Sequence, residues 1–459
     1  MHRINLPFAA CCGLVAGSAL GAAKAAPDFL TWAPTPPMGW NSWDCFATTV
    51  TEAQTKAQAV VMAEKLARHG WNIVTVDIQW YEPEAKNFNY RKGAALTMDE
   101  WGRLLPAPNR FPSATDGAGF KPLADYLHAK GLKLGIHLLR GIPRQAVAQN
   151  TPVKGTNYRA ADIANPDSVC KWNTDMFGVD MTKPGAQEYY DSVFALVASW
   201  QVDFVKVDDI SRPYDRNVAE IEAIRRAIDR TGRRMVLSLS PGETPLDEAA
   251  HVATHANMWR ISDDFWDKWP ALLEQFERLR KWAPFAGPGH WPDADMLPLG
   301  TLDLGRRQTH FTPAEQRTML TLWSIARSPL ILGADLTKLD DATLALISND
   351  EVIAVDQHSE NNRQLFARDG FVAWMADVPD SPDKYLAVFN TNDRPKPDGA
   401  DFEAGGGSIS IPLADLGLEG TCYARDLWRR ENVGYLSGDI TPGIVGHGAA
   451  LYRFSPERK

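Results

Sequence analysis

The sequence predicts an α/β chain built as a (β/α)₈ barrel followed by a C-terminal antiparallel β-sandwich. Three observations carry this. A unit of amphipathic helix, glycine stop and short apolar strand recurs from about residue 50 to 240 and continues past 300. Polar residues collect where those strands end. After Asp356 the long helical patterns stop, and short strand-like segments replace them. A chain of 459 residues is too long for one ordinary core. The expected division is a signal segment at 1–25, a barrel at 28–355 and an all-β domain at 356–459.

The elements follow in order. His2 and Arg3 precede an apolar, small-residue stretch from Leu6 to Ala23, and Ala23-Lys24-Ala25 has cleavage-site spacing. The segment reads as an export signal, which places the mature protein in the periplasm or outside the cell. The stretch is short for a span of about 20 residues, so stable membrane insertion is not expected. Glu52 to His69 has helical periodicity, Gly70 stops it, and Trp71 to Asp77 is strand-like. Pro122 to Lys130 leads through Gly131 to Leu132–His137, and Ala186 to Trp200 leads to Asp203–Asp208. Val218 to Arg230 leads through Gly232 to Met235–Leu239. This is the pattern of βα units with buried parallel strands. Later strands are expected at Met258–Ser262, near Asp293–Leu297 and near Leu320–Ile325. In the last third, Phe371–Met375, Tyr385–Phe389, Ser408–Ile411 and Ala449–Tyr452 read as strands, with an exposed loop from Asn392 to Gly407.

Composition narrows the function. A formal charge of −9 does not suit a phosphate backbone, so nucleic acid is not an expected partner. Sixteen Trp offer flat faces of the kind that stack on sugars, although core packing is their commoner use. Beyond the signal only Cys45, Cys170 and Cys422 remain, an odd number with wide spacing and no disulfide framework. There is no C-x-x-C, H-E-x-x-H or P-loop pattern, so no metal or other cofactor is expected.

In such a barrel the C-terminal strand ends form the active-site face. Asp77, His137, Asp208, Asp264 and Asp295 all fall there. Helix capping would account for one of them more easily than for five. Glycosidic hydrolysis needs one carboxyl to protonate the leaving oxygen and another to meet the anomeric carbon, about 5–5.5 Å apart in retaining enzymes. Val205-Lys-Val-Asp-Asp209 and Trp259-Arg-Ile-Ser-Asp-Asp264 supply the candidates. Strand alternation puts Lys206 on the face of Asp208, and Arg260 and Ser262 on the face of Asp264. Lys206 would help keep Asp208 ionised as a nucleophile. Asp264, as the acid, should lie where burial or another carboxylate keeps it protonated. Asp209 and Asp263 are the competing choice.

Pro36-Pro-Met-Gly-Trp-Asn-Ser-Trp43 closely resembles the opening motif of glycoside hydrolase family 27, the α-galactosidase family. Lys206-Val-Asp208 resembles its strand-four nucleophile motif, and Trp259-Arg260 with an acid four residues on resembles its acid/base motif. Trp291-Pro-Asp-Ala-Asp-Met-Leu297 resembles its strand-seven motif, and Ser328-Pro-Leu-Ile-Leu-Gly333 followed by Asp335-Leu336 resembles the end of its barrel. The likeness covers about 34 to 356 and continues loosely at Arg425–Trp428. It implies a retaining exo-glycosidase with Asp208 as nucleophile and Asp264 as acid/base. It also puts Trp43, Asp77, Lys206, Arg260 and Asp295 at sugar-binding positions, and oligosaccharides or plant polysaccharide side chains as partners.

Departures from the family bear on substrate. Asp77-Ile78-Gln79-Trp80 stands where α-galactosidases usually carry two adjacent acids. Ile78 cannot accept a hydrogen bond from the hydroxyl on carbon six of galactose. β-L-Arabinopyranose has the same ring hydroxyls without the hydroxymethyl group, and the Asp77–Trp80 segment resembles the arabinopyranosidase branch. Ile78 therefore favours β-L-arabinopyranose over α-D-galactose, unless it is ordinary barrel packing. His137 replaces the usual strand-three aromatic, Ile210 replaces a usual Cys, and Ser238–Glu243 lacks the usual strand-five motif. A strict α-galactosidase and an inactive sugar-binding homologue are the alternatives.

Overall fold

The structure is a computed structural model that describes residues 28–392 and 406–456. The signal segment and most of the Asn392–Gly407 loop lie outside the described residues. Eight short strands form one parallel sheet: β1 (Met38–Asn41), β2 (Ile73–Val76), β3 (Lys133–Leu139), β4 (Phe204–Asp208), β5 (Val236–Leu239), β6 (Met258–Arg260), β7 (Trp291–Asp293) and β8 (Leu330–Leu332). They lie in sequence order, with β8 beside β1. A parallel bridge between Leu297 and Leu332 joins the chain just beyond β7 to β8 and completes the ring. Most strand residues are buried, because the sheet is packed inside and clad outside by helices.

The helices carry the expected punctuation. α1 (Glu52–Val61) starts on a capping box between Thr51 and Gln54 and runs on irregularly to His69. Gly70 ends it with φ 97°, a left-handed conformation that glycine adopts without a Cβ penalty. α2 (Lys121–His128), α3 (Ala186–Ser199) and α4 (Tyr214–Arg230) follow, and α5 (Ala249–Ala253) is short. α6 (Trp269–Trp282), α7 (Pro313–Ala326), α8 (Asp341–Ile347) and α9 (Asp350–His358) complete the layer.

One expected strand is a helix: Leu320–Ile325 lies within α7, and the eighth strand is Leu330–Leu332. The reason is burial. Every residue from Thr318 to Ala326 is buried, because α7 packs against both the barrel and the β domain. A helix covered on all sides has no polar stripe, so its periodicity is lost. Only the Thr312/Glu315 capping box, with Pro313 between them, marks its start. The strand expected at Asp293–Leu297 likewise lies earlier, at Trp291–Asp293.

The C-terminal domain is a six-stranded antiparallel sheet. Its strands are β9 (Glu360–Arg368), β10 (Phe371–Asp377), β11 (Lys384–Asn390), β12 (Thr421–Asp426), β13 (Glu431–Ser437) and β14 (Ala449–Pro456), in the order 9-10-11-14-12-13. Alternation divides β10 between two cores. Phe371, Ala373 and Met375 pack with Ile411, Leu413 and Ile440 in one cluster. Val372, Trp374 and Ala376 join the barrel's core. The segment expected as one strand at Ser408–Ile411 is split between two ribbons, Gly407–Ser408 with Gly443–Ile444 and Ile411–Pro412 with Asp439–Ile440. These ribbons supply the second layer.

Candidate active site

A cavity of about 480 Å³ opens at the C-terminal strand ends. Trp43, Asp77, Ile78, Lys206, Asp208, Arg260, Asp264 and Asp295 all line it, so eight of the nine residues singled out from the sequence meet there. The ninth, His137, lies outside the cavity lining, contrary to its expected substrate-binding place. It is fully buried. Its Nε2 is 2.9 Å from Asp208 Oδ2, so it holds that carboxylate from behind the cavity wall.

Each carboxylate is placed by its strand. Asp208 ends β4, and its Oδ1 accepts from the backbone amide of Asp209 at 2.8 Å. Burial pushes the Asp208 carboxyl up, but the His137 hydrogen bond and the charges of His137 and Lys206 outweigh it, and the net position is below the ordinary carboxylate value. Asp77 follows β2. Its Oδ2 accepts from Asn41 Nδ2 at 2.7 Å and from Lys206 Nζ at 3.0 Å. Here too burial raises the pKa, while Lys206, His137 and Asn41 bring it below the ordinary value. Burial would lower the Lys206 ammonium, yet Asp77, Asp208 and Asp295 hold it above its usual range.

Arg260 ends β6 and ties the opposite wall. Its Nη2 lies 2.8 Å from Asp295 Oδ2 and 3.3 Å from Asp264 Oδ1. Asp295 also accepts from the Phe265 amide at 2.7 Å. Its carboxyl is raised by burial, opposed by Arg260 and raised further by Asp264. Beneath it, Asp293 is pushed up to about 7 by burial, against the pull of Arg260. Asp264 departs from the burial expectation, being 60 % exposed. β6 stops at Arg260, so Asp264 stands on the following turn at the cavity rim instead of on a strand face. Its carboxylate neighbour is Asp295.

Of the adjacent acids, Asp209 does not line the cavity and Asp263 does. Asp209 pairs with Arg140 at 3.1 Å and accepts from the Cys170 thiol; burial raises its carboxyl to about 6. Asp263 is held by two hydrogen bonds from Arg212, at the rim. At strand five the cavity receives Pro241, not a carboxylate, and Glu243 is turned to Arg278. Cys45, Cys170 and Cys422 are buried free thiols, so among the described residues no disulfide flanks the site.

Several lining residues escaped sequence reasoning. Asp44 follows Trp43 directly, and burial and Asp295 raise its carboxyl well above the usual range. The visible signal was an acid set between the aromatic motif and Cys45-Phe46. Tyr90, Phe265, Trp266 and Met296 come from loops, where periodicity is silent. Trp43 stacks on Tyr90 with centroids 5.9 Å apart, and Tyr90 meets Trp172 at 5.2 Å. The long connection between β3 and α3 thus brings Trp172 over the cavity.

The geometry has relatives. The model of the family described as alpha galactosidase A matches residues 35–183 and 174–358, and that of the alpha galactosidase C-terminal beta sandwich domain matches 368–454. An α-galactosidase of Cyamopsis tetragonoloba is 28% identical, over 92% of this chain and 86% of its own. The crystal structure of a family 27 β-L-arabinopyranosidase from Geobacillus stearothermophilus is 49% identical, with a TM-score of 0.90 over 94% of this chain and 99% of its own. An aspartate-to-alanine variant of that enzyme, in complex with arabinose, is also similar at TM-score 0.90. With barrel and β domain both matched and two aspartates meeting in one strand-end cavity, the chain belongs to glycoside hydrolase family 27, the α-galactosidase family, as a glycosidase.

Proposed function

We propose that the chain is an exported, retaining exo-glycosidase that removes terminal β-L-arabinopyranose, with α-D-galactose as a lesser substrate. The observation that carries the sugar preference is Ile78, a buried aliphatic side chain in the cavity wall. A hydroxyl pressed against it without a partner costs about 1–3 kcal/mol. A pyranose lacking the hydroxymethyl group leaves no such hydroxyl. The 49% identity to a β-L-arabinopyranosidase over nearly the whole chain supports the same reading.

In this mechanism Asp208 attacks the anomeric carbon as Asp264 gives its proton to the leaving oxygen. A covalent glycosyl-enzyme forms. Asp264 then takes a proton from water as that water displaces Asp208, so configuration is kept through two inversions. The depressed pKa of Asp208 supports its role as the nucleophile, which must be charged when it attacks. The exposure of Asp264 suits a group that must exchange protons with water. Side chains of oligosaccharides and plant polysaccharides are the substrates this implies.

The test compares p-nitrophenyl β-L-arabinopyranoside with the α-D-galactopyranoside for the wild type and for Ile78→Asp. The variant is expected to move the preference toward galactose by roughly 5- to 150-fold, the range that one hydroxyl partner supplies. An unchanged ratio refutes the account of Ile78. Asp208→Asn is expected to abolish turnover, and Asp264→Ala to slow poor leaving groups more than good ones. The N-terminus of the protein recovered outside the cytoplasm is expected near residue 26.

A further inference from the structure

Away from the sugar cavity, Glu222 of α4 meets His251 of α5 and His255 just beyond it. One potential ligand atom from each lies within 4.8 Å of the other two. The imidazoles are nearly parallel, 20° apart with centroids separated by 4.1 Å. A spacing of four residues lets two histidines on one helical face share an ion.

Second contacts orient both rings. His255 Nδ1 is 2.7 Å from the backbone carbonyl of His251. A carbonyl only accepts, so Nδ1 carries the proton and Nε2 keeps its lone pair. His251 Nδ1 is 2.8 Å from the Tyr214 hydroxyl. Histidines that bind metals are held in this way, through the ring nitrogen that does not touch the ion. His251 Nε2 is buried without a hydrogen-bond partner. It lies 3.6 Å from Glu222 Oε1, too far for a good hydrogen bond. Two ligands at about 2.0–2.1 Å from a tetrahedral ion stand roughly 3.3 Å apart, close to that separation. Arg226 Nη1 holds the other carboxylate oxygen, Oε2, at 3.2 Å and leaves Oε1 available. Glu222 and His251 side chains are 38 % and 23 % exposed, so an ion can enter from solvent.

We propose that Glu222, His251 and His255 bind one divalent ion of the zinc type, with water as fourth ligand. The ion is structural. It ties α4, which follows the strand of Asp208, to the segment Ala249–His255 that follows β5. It takes no part in hydrolysis.

The test uses tag-free, full-length protein stripped with EDTA and titrated with Zn²⁺ by calorimetry near neutral pH. One equivalent is expected to bind with micromolar or tighter affinity. Saturation is expected to raise Tm by about 3 °C. His251→Gln/His255→Gln is expected to abolish both effects while retaining the wild-type kcat and the wild-type Tm in EDTA. Tyr214→Phe, which removes only the orienting hydroxyl, is expected to weaken Zn²⁺ about tenfold. Co²⁺ in place of Zn²⁺ is expected to give the intense visible bands of four-coordinate cobalt in the wild type and not in the double variant. Binding that persists unchanged in the double variant, or that is no tighter than millimolar, means an adventitious ion only and overturns the proposal.

Discussion

Asp208 is ionised although it is buried, and His137 is the largest reason. The sequence placed His137 at a strand end among the acids, but its position behind a carboxylate was not readable from spacing. His137→Phe removes the hydrogen bond and leaves burial less opposed. The Asp208 pKa is then expected to rise. Fewer molecules hold the anion at a given acidic pH, so the acid limb of kcat/KM moves to higher pH, and kcat falls roughly tenfold or more. A profile over the acid range checks this; His137→Gln, which retains a donor, should shift it less. An unchanged acid limb would remove His137 from the mechanism. Asp77, Lys206, Arg260 and Asp295 were legible because each sits at a strand end inside a motif. Asp44 was not, because its raised carboxyl depends on burial and then on Asp295, more than 200 positions away in sequence.

At the scale of elements, helix and strand order was readable wherever one face was polar. α7 was not, since it is enclosed. Its position matters for the site. Trp323 in α7 gives its indole N–H to the backbone carbonyl of Asp295 at 3.0 Å, and its ring meets Phe265 at 5.1 Å. The helix therefore fixes the loop that presents Asp295 to the cavity. Trp323→Phe leaves that buried carbonyl without its donor and is expected to cost about 1–3 kcal/mol of stability. KM should rise more than kcat falls, because ring binding is loosened while Asp208 is untouched. Denaturant unfolding and steady-state kinetics read the two effects separately. The turn after β6 teaches the complementary lesson. Alternation predicted the face of Asp264 as though the strand continued, but the strand had already ended.

Across the whole molecule, the two domains share a core. Trp374 is fully buried among barrel residues, Phe276 meets Phe389 at 5.0 Å, and Trp269 stacks on His447 at 3.7 Å. Hydrogen bonds from Trp428 to Thr321 and from Asn349 to the Leu427 carbonyl cross the same boundary. Such a contact couples the domains, so one calorimetric transition is expected for both. Trp374→Ala should destabilise by about 3–5 kcal/mol and lower that single Tm; a separate β-domain transition would refute the coupling. The sequence showed where the grammar changed but not that the sheet's second face was apolar for the barrel's sake.

The cavity has a floor. Asp44, Asp77, Lys206, Arg260 and Asp295 close it, with Asp77 bound to Lys206 and Arg260 bound to Asp295, while Trp172 and Asp264 stand at the open edge. A polymer cannot thread through such a socket; it can only insert its last unit. Work on a branched polysaccharide should therefore scale with the number of chain tips, freeing monosaccharide while the solution's viscosity hardly changes.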